Sequence, residues 1–275
     1  MQLSIITINL NNAEGLKKTM ESVFSQTSRD FEYIVVDGDS RDGSKEMILD
    51  FAQRHDRESY PFRFTWISEP DKGLYHAMNK GIQIAQGEYC QFLNSGDWLA
   101  ANDAIEKMLR SLPECGIFYG NMLKQLTNGR IFRDTCHKGN ITMLSLYRGS
   151  LNHSPVFIKK SLFEKYGQYD ESLKIVSDWK WYLIAIGLHN ESVKYVNIDV
   201  ANFDMNGISN TNHDLRNQER RKVLEEIIPS RVLTDYDTHW QKIEQCNRIN
   251  RYKITRMIFW LLDRMLFKWE KTMKN

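Results

Sequence analysis

Five side chains follow apolar runs in the first hundred residues and could together hold a charged ligand. Asp37 and Asp39 lie in VVDGDS, where a carboxylate can accept hydrogen bonds from a nucleobase or a ribose hydroxyl. Lys72 and Lys80 are close in the sequence and could face a pyrophosphate. Asp97 ends the turn in FLNSGDW, and a hard divalent cation that bridges two phosphates prefers such oxygen ligands. These residue types predict a nucleotide-handling site.

The same stretches also have the composition of ordinary turns, because Asp, Asn, Ser and Gly are the residues that tight turns favour. The two common glycine-rich phosphate loops are missing from the sequence. The loop after the first apolar run reads NLNNAEG, which lacks the GxGxxG spacing of nicotinamide-binding folds, and no GxxxxGK[ST] pattern occurs. Each loop alone is therefore compatible with a simple turn, and only their repeated position after apolar runs favours a nucleotide site.

Apolar runs and helical stripes alternate through this part of the chain. The runs predict four strands, at residues 3–8, 31–36, 62–67 and 88–93, and the first, a continuous β-branched run, is expected to be buried on both faces. The segments between them predict amphipathic helices, the first capped by Asn11 together with Glu14. This alternation predicts an α/β fold with a doubly wound, mostly parallel sheet. Because the polar loops all follow strands, we expect them to meet at the carboxyl edge, where such sheets bind ligands.

The second half of the chain is less regular. Asn128-Gly129 predicts the turn of a β-hairpin. A further helix is predicted to begin near Ser177 and to bury Trp179, and residues 212–228 are predicted to form a polar helix. The regular strand-helix alternation is therefore predicted to end with the first hundred residues.

Composition argues against several classes of protein. The net charge of +2 indicates no general affinity for nucleic acid. The four cysteines are far apart and form no CxxC pair, so we expect neither a zinc site nor a disulfide framework, and a reducing cytosol is favoured. The first residues, MQLSIITINLNN, lack the basic region of a signal peptide, and no apolar run is long enough to span a bilayer.

Positive charge is concentrated at the C-terminal end. Residues 251–275 carry seven basic residues against two acidic ones, a net charge of +5. Apolar residues recur there at helical spacing, at positions 254, 257, 258, 261, 265, 266, 269 and 273. This pattern is typical of a helix that lies in a membrane interface and contacts anionic lipid. It is equally typical of an amphipathic helix that packs on the domain or on a partner chain.

Three segments, taken in order, resemble family 2 glycosyltransferases of the GT-A fold. They are SIITINLNNAEGLKKTMESVFSQ, FEYIVVDGDSRDGS and SEPDKGLYHAMNKGIQIAQGEYCQFLNSGD. The resemblance resumes at LNHSPVFIKKSLFEKYGQYDESLKIVSDWKWYL, residues 151–183, and fades after FDMNGIS, residues 203–209. It is greatest to the bacterial branch that builds capsule and other surface polysaccharides.

The resemblance implies an inverting transfer of a hexosyl or N-acetylhexosaminyl group. The donor would be a nucleotide sugar, a UDP-sugar by preference, and the acceptor a hydroxyl of a glycan or of a lipid-linked glycan. A GT-A domain would cover residues 1–210, with a nucleotide-sugar-binding half (1–100) and an acceptor half (101–210), followed by a helical extension over 211–275. Because such acceptors are often lipid-linked, the protein is expected in the cytoplasm, on the inner face of the cytoplasmic membrane.

The resemblance also implies a role for each polar residue of the predicted rim. The residues that would hold the nucleoside are Thr7, Asn9, Asn11 and Asp37, with Asp39 nearby. The residues that would line the diphosphate and the sugar are Asp71, Lys72, Asn79, Lys80 and Asn94. Asp97 would bind Mn²⁺ or Mg²⁺. Asp178 would act as the catalytic base, and His153 and Trp179 would border the acceptor. A structural alternative stays open for each: an acid in the first turn of a helix, a turn residue and a packed core ring, respectively.

Two departures from the family pattern are visible. The metal-binding turn often has Asp at its first position and again two residues later, whereas this chain has Asn94 and Gly96 and keeps only the carboxylate of Asp97. Leu10-Asn11 replaces a frequent Tyr-Asn after the first strand. The reduced turn motivates an alternative function, a catalytically silent nucleotide-sugar binder or assembly partner. A nucleotidyltransferase is disfavoured, because it requires a glycine-rich basic loop after the first strand.

Overall fold

The structure is a computed structural model that describes residues 1–125, 130–134, 139–203 and 212–273. The chain divides into two units, Met1–Arg221 and Lys222–Asn275, and each is described by itself. The domain boundary predicted at residue 210 falls between the described ranges. The predicted division of the chain therefore stays a prediction.

Nine strands of the described residues form one sheet. Their bounds are β1 (Leu3–Asn9), β2 (Phe31–Asp37), β3 (Arg63–Ser68), β4 (Tyr89–Phe92), β5 (Trp98–Leu99), β6 (Ile117–Gln125), β7 (Ile131–Asp134), β8 (Val156–Lys159) and β9 (Val193–Phe203). The strand order is β3-β2-β1-β4-β8-β6-β9-β5, with β7 paired to β6. The first four strands pair in parallel, as predicted, because helices return the chain between them. Beyond β4 parallel and antiparallel pairs mix, so the prediction of a mostly parallel sheet holds for the first half only.

The helices of the described residues surround this sheet and form the C-terminal unit. Their bounds are α1 (Ala13–Phe24), α2 (Ser44–Glu58), α3 (Leu74–Ile84), α4 (Ala104–Arg110), α5 (Met143–Arg148), α6 (Ser161–Tyr166), α7 (Ser177–Tyr182), α8 (His213–Ile227), α9 (Ser230–Asn250) and α10 (Lys253–Met273). A π-helical turn, Leu183–Leu188, follows α7. The predicted helix at Ser177 is confirmed and buries Trp179, and α8 confirms the predicted polar helix.

Helices α1 and α3 cover opposite faces of the first four strands. Leu16 of α1 is fully buried in one apolar cluster with Leu3 and Ile5 of β1. Gly81 of α3 approaches the other face so closely that an added Cβ would lie 2.4 Å from Ile6 Cγ2. Alternate residues of a strand point to opposite faces. The two helices therefore lie on opposite sides of the sheet, which confirms the doubly wound prediction.

The first helix begins one residue later than predicted. Asn12 is the N-cap, and its side chain accepts a hydrogen bond from the backbone N–H of Gly15 at 3.1 Å. Asn11 has a φ of +50°, and its Oδ1 accepts from the backbone N–H of Arg41 at 2.9 Å. The prediction of Asn11 as the cap was wrong, because the neighbouring loop engages that side chain.

Strands β6 and β7 pair in the antiparallel sense that a hairpin requires, with Gln125 opposite Ile131. The predicted turn residues, Asn128 and Gly129, lie outside the described residues. So do most of the residues of FDMNGIS, where the family resemblance fades.

The second unit contains α9 and α10, and α10 confirms the predicted amphipathic C-terminal helix. Its large apolar side chains are exposed, with exposed fractions from 44% at Phe259 to 69% at Ile254. Across the described residues, the helices are too short or too polar for a bilayer crossing.

Candidate active site

The loop after β2 holds a buried carboxylate at the edge of the sheet. Asp37 is fully buried, and its Oδ1 accepts hydrogen bonds from Asn9 Nδ2 at 2.8 Å and Ser40 Oγ at 2.6 Å. Its Oδ2 accepts from Ser68 Oγ at 2.8 Å and from the Ser40 backbone N–H at 3.0 Å. Burial raises the pKa of Asp37, but these donors outweigh that effect and lower the pKa. The carboxylate is therefore a fixed negative charge that joins the ends of β1, β2 and β3.

The loops after β1 and β2 are joined to each other beyond Asp37. The Asn11 backbone N–H donates to Ser40 Oγ at 2.8 Å, next to the bond between Asn11 Oδ1 and Arg41. Asn11 and Asp39 both have positive φ, +50° and +63°, a region that Asn and Asp tolerate better than most residues. Both side chains are exposed. The predicted nucleoside-binding residues Asn9, Asn11, Asp37 and Asp39 are thus brought to one edge of the sheet.

A second charged cluster follows β3. Lys80 Nζ lies 2.7 Å from Asp71 Oδ1 and 2.8 Å from Glu69 Oε1. His76 Nδ1 lies 3.2 Å from the same Asp71 oxygen. Burial lowers the pKa of Lys80, but the two carboxylates outweigh that effect and raise it. Lys72 is exposed. The two lysines predicted to face a diphosphate therefore differ, because one is paired with carboxylates and the other faces solvent.

Two predicted donor-binding residues have their side chains hydrogen-bonded inside the protein. Thr7 is fully buried, and its Oγ1 donates to Leu93 O at 2.7 Å and accepts from Tyr33 OH at 3.0 Å. Asn79 Nδ2 donates to Tyr169 O at 2.9 Å, and Asn79 Oδ1 accepts from the Tyr169 N–H at 3.0 Å. A direct contact with a donor would require these bonds to break. The donor-binding roles of Thr7 and Asn79 stay predictions.

The turn after β4 buries Asp97. Gly96 has a φ of +103°, a conformation that favours glycine, and the Asp97 N–H donates to Asn94 O at 2.9 Å. Asp97 is 4% exposed, and its Oδ2 accepts a hydrogen bond from Ser154 Oγ. Thr19 Oγ1 donates to Asp97 O at 2.6 Å. Ser154 therefore fixes the carboxylate of Asp97, and Thr19 fixes its backbone carbonyl.

His153 lies against both ends of this turn. Its Nε2 is 3.4 Å from Asp97 Oδ2 and 3.1 Å from Asn94 Nδ2. Burial lowers the pKa of His153, but Asp97 and Asp178 outweigh that effect and raise it. Asn94 Oδ1 is buried and accepts no hydrogen bond from the described residues. The site therefore combines a carboxylate, an imidazole and an amide oxygen that lacks a donor.

These three side chains fit a divalent cation by the chemistry of their donor atoms. Within the described ranges, no group of three or more His, Cys, Asp and Glu side chains is arranged to hold a metal. The protein therefore offers few ligands at this point. A bound Mn²⁺ or Mg²⁺ would take its remaining ligands from phosphate oxygens and water.

Asp178 lies in the first turn of α7. Tyr75 OH donates to Asp178 Oδ1 at 3.0 Å and also to Ile175 O at 2.7 Å. Burial raises the pKa of Asp178 more than His153, the N–H of Trp179 and Tyr75 together lower it. A partly buried carboxylate with a raised pKa is a candidate general base.

Trp179, predicted on the acceptor side, is 2% exposed. Its Nε1 donates to Leu146 O at 2.7 Å, and the Arg220 guanidinium lies 3.9 Å from the centre of the ring. A stacking contact with an acceptor sugar would require the ring to leave this packing. The acceptor-side role of Trp179 stays a prediction.

Several residues that hold the site together were not predicted from the sequence. They are Ser40, Ser68, Tyr75, Ser154, Glu219 and Arg220. Ser154 directly follows His153, and that adjacency is the signal that could have identified it. Ser40 lies in the same loop as Asp37, three residues on, and that spacing is a similar signal. The others come from separate segments, and no local spacing marks them.

The sequence matches the family described as Glycosyl transferase family 2 over residues 4–155, more than half of the chain. A glycosyltransferase of Mycobacterium bovis, named for PGL/p-HBAD biosynthesis, is 28% identical over 76% of this chain and 79% of its own length. An uncharacterized glycosyltransferase of Mycobacterium tuberculosis is 30% identical over 66% of this chain and 68% of its own.

Two solved structures share the fold. TarS 1–349 of S. aureus, in complex with UDP-GlcNAc, has a TM-score of 0.64 at 18% identity, over 82% of this chain and 64% of that one. The mannosyltransferase PcManGT of Pyrobaculum calidifontis, in complex with GDP-Man and Mn²⁺, has a TM-score of 0.57 at 17% identity, over 80% of this chain and 60% of that one. This chain thus spans less than two thirds of either structure. By its sequence match the chain belongs to glycosyl transferase family 2, and its fold is GT-A.

Proposed function

We propose that the protein is an inverting glycosyltransferase that moves a hexosyl or N-acetylhexosaminyl group from a nucleotide sugar to a hydroxyl of a glycan or lipid-linked acceptor. Synthesis of a surface polysaccharide such as a capsule is the proposed role. The observation that carries this proposal is the pairing of a buried carboxylate, Asp97, and a partly buried one, Asp178, around one histidine. Asp97 contacts His153 directly, and Asp178 acts on the same imidazole electrostatically. These interactions support Asp97 as the metal ligand and Asp178 as the base of one site, where the reacting sugar would lie.

The proposed reaction is one displacement at the anomeric carbon. Asp178 accepts the proton of the acceptor hydroxyl while the oxygen of that hydroxyl bonds to the anomeric carbon. The bond from the anomeric carbon to the phosphate oxygen breaks, and the electron pair leaves with the nucleoside diphosphate. Attack from the opposite face inverts the anomeric centre. A single base is sufficient, because no covalent sugar-enzyme intermediate forms.

The donor would lie along the edge formed by the first four strands. Asn9 has a buried Oδ1 without a donor among the described residues, and it lies beside the fixed carboxylate of Asp37. These acceptors suit the N–H of a base or the hydroxyls of a ribose. Lys72 and Lys80 would offset the charge of the diphosphate. A UDP-sugar is the proposed donor, supported by the UDP-GlcNAc in TarS, while the GDP-Man of PcManGT makes a GDP-sugar the competing choice.

The proposed metal is Mn²⁺ or Mg²⁺, held by Asp97 with Asn94 and His153. When bound, such an ion stabilises negative charge on the leaving diphosphate. His153 was predicted on the acceptor side, and contact with Asp97 supports a place nearer the metal. The small number of protein ligands also supports the alternative function, a nucleotide-sugar binder without turnover.

Donor binding and turnover, measured separately, distinguish the two functions. UDP-, GDP- and dTDP-sugars are titrated with Mn²⁺ by thermal shift, and transfer is then measured with the preferred donor and candidate acceptors. A glycosyltransferase binds one donor class and transfers the sugar, whereas Asp178→Asn binds but does not transfer. Asp103→Asn, at an exposed ion pair with Lys107, is the matched control and keeps both properties. Binding without transfer by the wild type, with acceptors present, would favour the silent binder.

Residues 251–275 are proposed to contact the membrane surface on the cytoplasmic side. In the second unit alone, α10 exposes Ile254, Met257, Trp260 and Met265 while carrying basic residues along its length. An apolar face of this size in water marks an interaction surface, and basic charge favours anionic lipid as the partner. Sedimentation with vesicles of anionic lipid, with and without residues 245–275, tests this. Equal sedimentation of the two forms contradicts it.

A further inference from the structure

Helix α8 places a buried carboxylate against the loop before α7. Glu219 is 8% exposed, and its Oε1 accepts from the Lys174 N–H at 2.7 Å. Its Oε2 accepts from the Ile175 N–H at 2.9 Å. A buried carboxylate is costly unless it is hydrogen-bonded, so these two bonds make the position of the loop and the position of Glu219 depend on each other.

This loop is connected to Asp178 by one hydroxyl. Ile175 O accepts from Tyr75 OH at 2.7 Å, and the same hydroxyl lies 3.0 Å from Asp178 Oδ1. Burial raises the pKa of Tyr75 well above its usual value, so the hydroxyl keeps its proton at neutral pH and remains a donor. Glu219 therefore fixes the carbonyl that fixes Tyr75, and Tyr75 fixes the orientation of the carboxyl of Asp178.

The next residue of α8 holds the other side of α7. The Arg220 guanidinium lies 3.9 Å from the centre of the Trp179 ring and donates to Leu146 O at 3.1 Å, Tyr147 O at 3.0 Å and Gly149 O at 3.2 Å. Trp179 donates to the same Leu146 carbonyl. Burial and Arg216 lower the pKa of Arg220 to about 10, so it remains a cation at neutral pH. The carboxylate of Asp178 opposes this lowering through its charge, so Arg220 and Asp178 attract each other electrostatically.

We propose that Glu219 and Arg220 are positioning residues for the base Asp178. Glu219 acts through residues 174–175 and Tyr75, and Arg220 acts through Trp179 and through its charge. The inference rests on the proposed function, because it takes Asp178 as the base. It places part of the catalytic apparatus beyond residue 210, where the GT-A domain was predicted to end, and beyond the residues 4–155 that match the family.

The test uses the full chain with Glu219→Gln, Tyr75→Phe and the double variant, and with Arg220→Met and Arg220→Lys. Gln218→Ala is the matched control, an exposed position beside Glu219 on the same helix. In Glu219→Gln the side-chain NH₂ replaces one of the two oxygens that accept from the Lys174 and Ile175 N–H groups. Two donors then face each other, so the loop at 174–175 shifts. We expect kcat to fall about 10- to 100-fold at Glu219→Gln, Tyr75→Phe and Arg220→Met, with donor Kd unchanged. Arg220→Lys, which keeps the charge, recovers part of the loss.

The double variant is the sharper measurement. If Glu219 acts through Tyr75, Glu219→Gln with Tyr75→Phe loses little more kcat than the worse single variant. Three outcomes would each overturn the proposal: a kcat loss in the double variant equal to the product of the two single losses, a wild-type kcat in Glu219→Gln, or a donor affinity that falls in step with kcat. Melting temperatures identify variants that fail to fold, and Tyr75→Phe, which keeps the ring, then still tests the link.

A readout that does not need turnover separates this proposal from the proposed function. The pKa of Asp178 is measured by carboxyl ¹³C NMR, with Asp178→Asn used to assign the signal. Tyr75→Phe and Arg220→Met each raise that pKa, because each removes a group that favours the carboxylate, and Gln218→Ala leaves it unchanged. An unchanged pKa in both Tyr75→Phe and Arg220→Met contradicts the inference. Absence of transfer by the wild type, with the pKa shifts present, contradicts the proposed function and leaves the positioning network in place.

Discussion

The two units of the chain violate the usual placement of polar and apolar groups in opposite ways. The first unit buries charge, and Asp37 and Asp97 are each at most 4% exposed. The second unit exposes apolar groups, and Trp260 and Leu266 are 53% and 60% exposed. Charged side chains are rarely buried without partners, and large apolar patches are rarely left in water. In each unit the exception coincides with the proposed function.

The reasons for the two exceptions differ. A buried carboxylate can persist because nearby donors replace its lost hydration, as Asn9, Ser40 and Ser68 do for Asp37. An exposed apolar face gains no such replacement within its own unit. The buried carboxylate of the first unit is therefore compensated by groups of the same unit, while the apolar face of α10 is proposed to be covered by a membrane surface.

Asp178→Asn is expected to give the largest loss. The amide cannot accept the acceptor proton, so kcat falls by about 10²- to 10⁴-fold while donor Kd stays near the wild-type value. Steady-state kinetics and calorimetric donor titration measure the two quantities. Full activity in this variant would break the assignment of Asp178, whatever happens to donor binding.

Removal of the metal or of its ligands is expected to act on donor binding. Asp97→Ala leaves His153 and Asn94 without the carboxylate, so affinity for Mn²⁺ falls by about 10-fold or more, and donor binding weakens with it. Mn²⁺ affinity is measured directly by electron paramagnetic resonance, and EDTA added to the wild type should reproduce the loss of donor affinity. A donor affinity that changes with neither Mn²⁺ nor EDTA would show that the buried carboxylate of Asp97 has a structural role only.

Single substitutions in α10 separate apolar from ionic contributions to membrane binding. Trp260→Ser removes a large exposed side chain, and partition to anionic vesicles should fall about 10-fold at any salt concentration. Arg256→Gln should reduce partition about 5-fold at low salt and much less at high salt, because ionic attraction is screened. Thr255→Ser, at the exposed position just before Arg256, serves as the control. Unchanged partition in both variants would favour packing against protein.

The pH dependence of kcat is expected to show the smallest effect. Only the deprotonated form of Asp178 can accept a proton, so kcat falls as pH falls through its pKa. Burial raises that pKa, so the fall of kcat on the acid side of the profile (the acid limb) occurs at a higher pH than an ordinary aspartate, with a pKa near 3.9, would give. Tyr75→Phe removes a hydrogen bond that lowers the pKa, and the limb should move further up. A limb that does not move would assign the titration to another group, with His153 the first alternative.

The regular part of the first unit was predictable from sequence. Continuous apolar runs marked β1 to β4, and the apolar stripe of α1 marked the face that packs on Leu3 and Ile5. From these elements alone the loops carrying Asp37 and Asp97 were expected on one edge, because parallel strands all end on the same side. The cap at Asn12 was missed by one residue, since the bond from Arg41 to Asn11 joins two separate loops.

In the first hundred residues, sequence alone determined which residues form the strands and which loops reach the site edge, because these properties repeat at the period of the element and are read locally. Only the tertiary structure decided which groups surround each carboxylate. Ser154 reaches Asp97 across 57 residues, Tyr75 reaches Asp178 across 103 and Glu219 reaches Lys174 across 45. No local period encodes such pairs, because they exist only once separate elements have packed against one another.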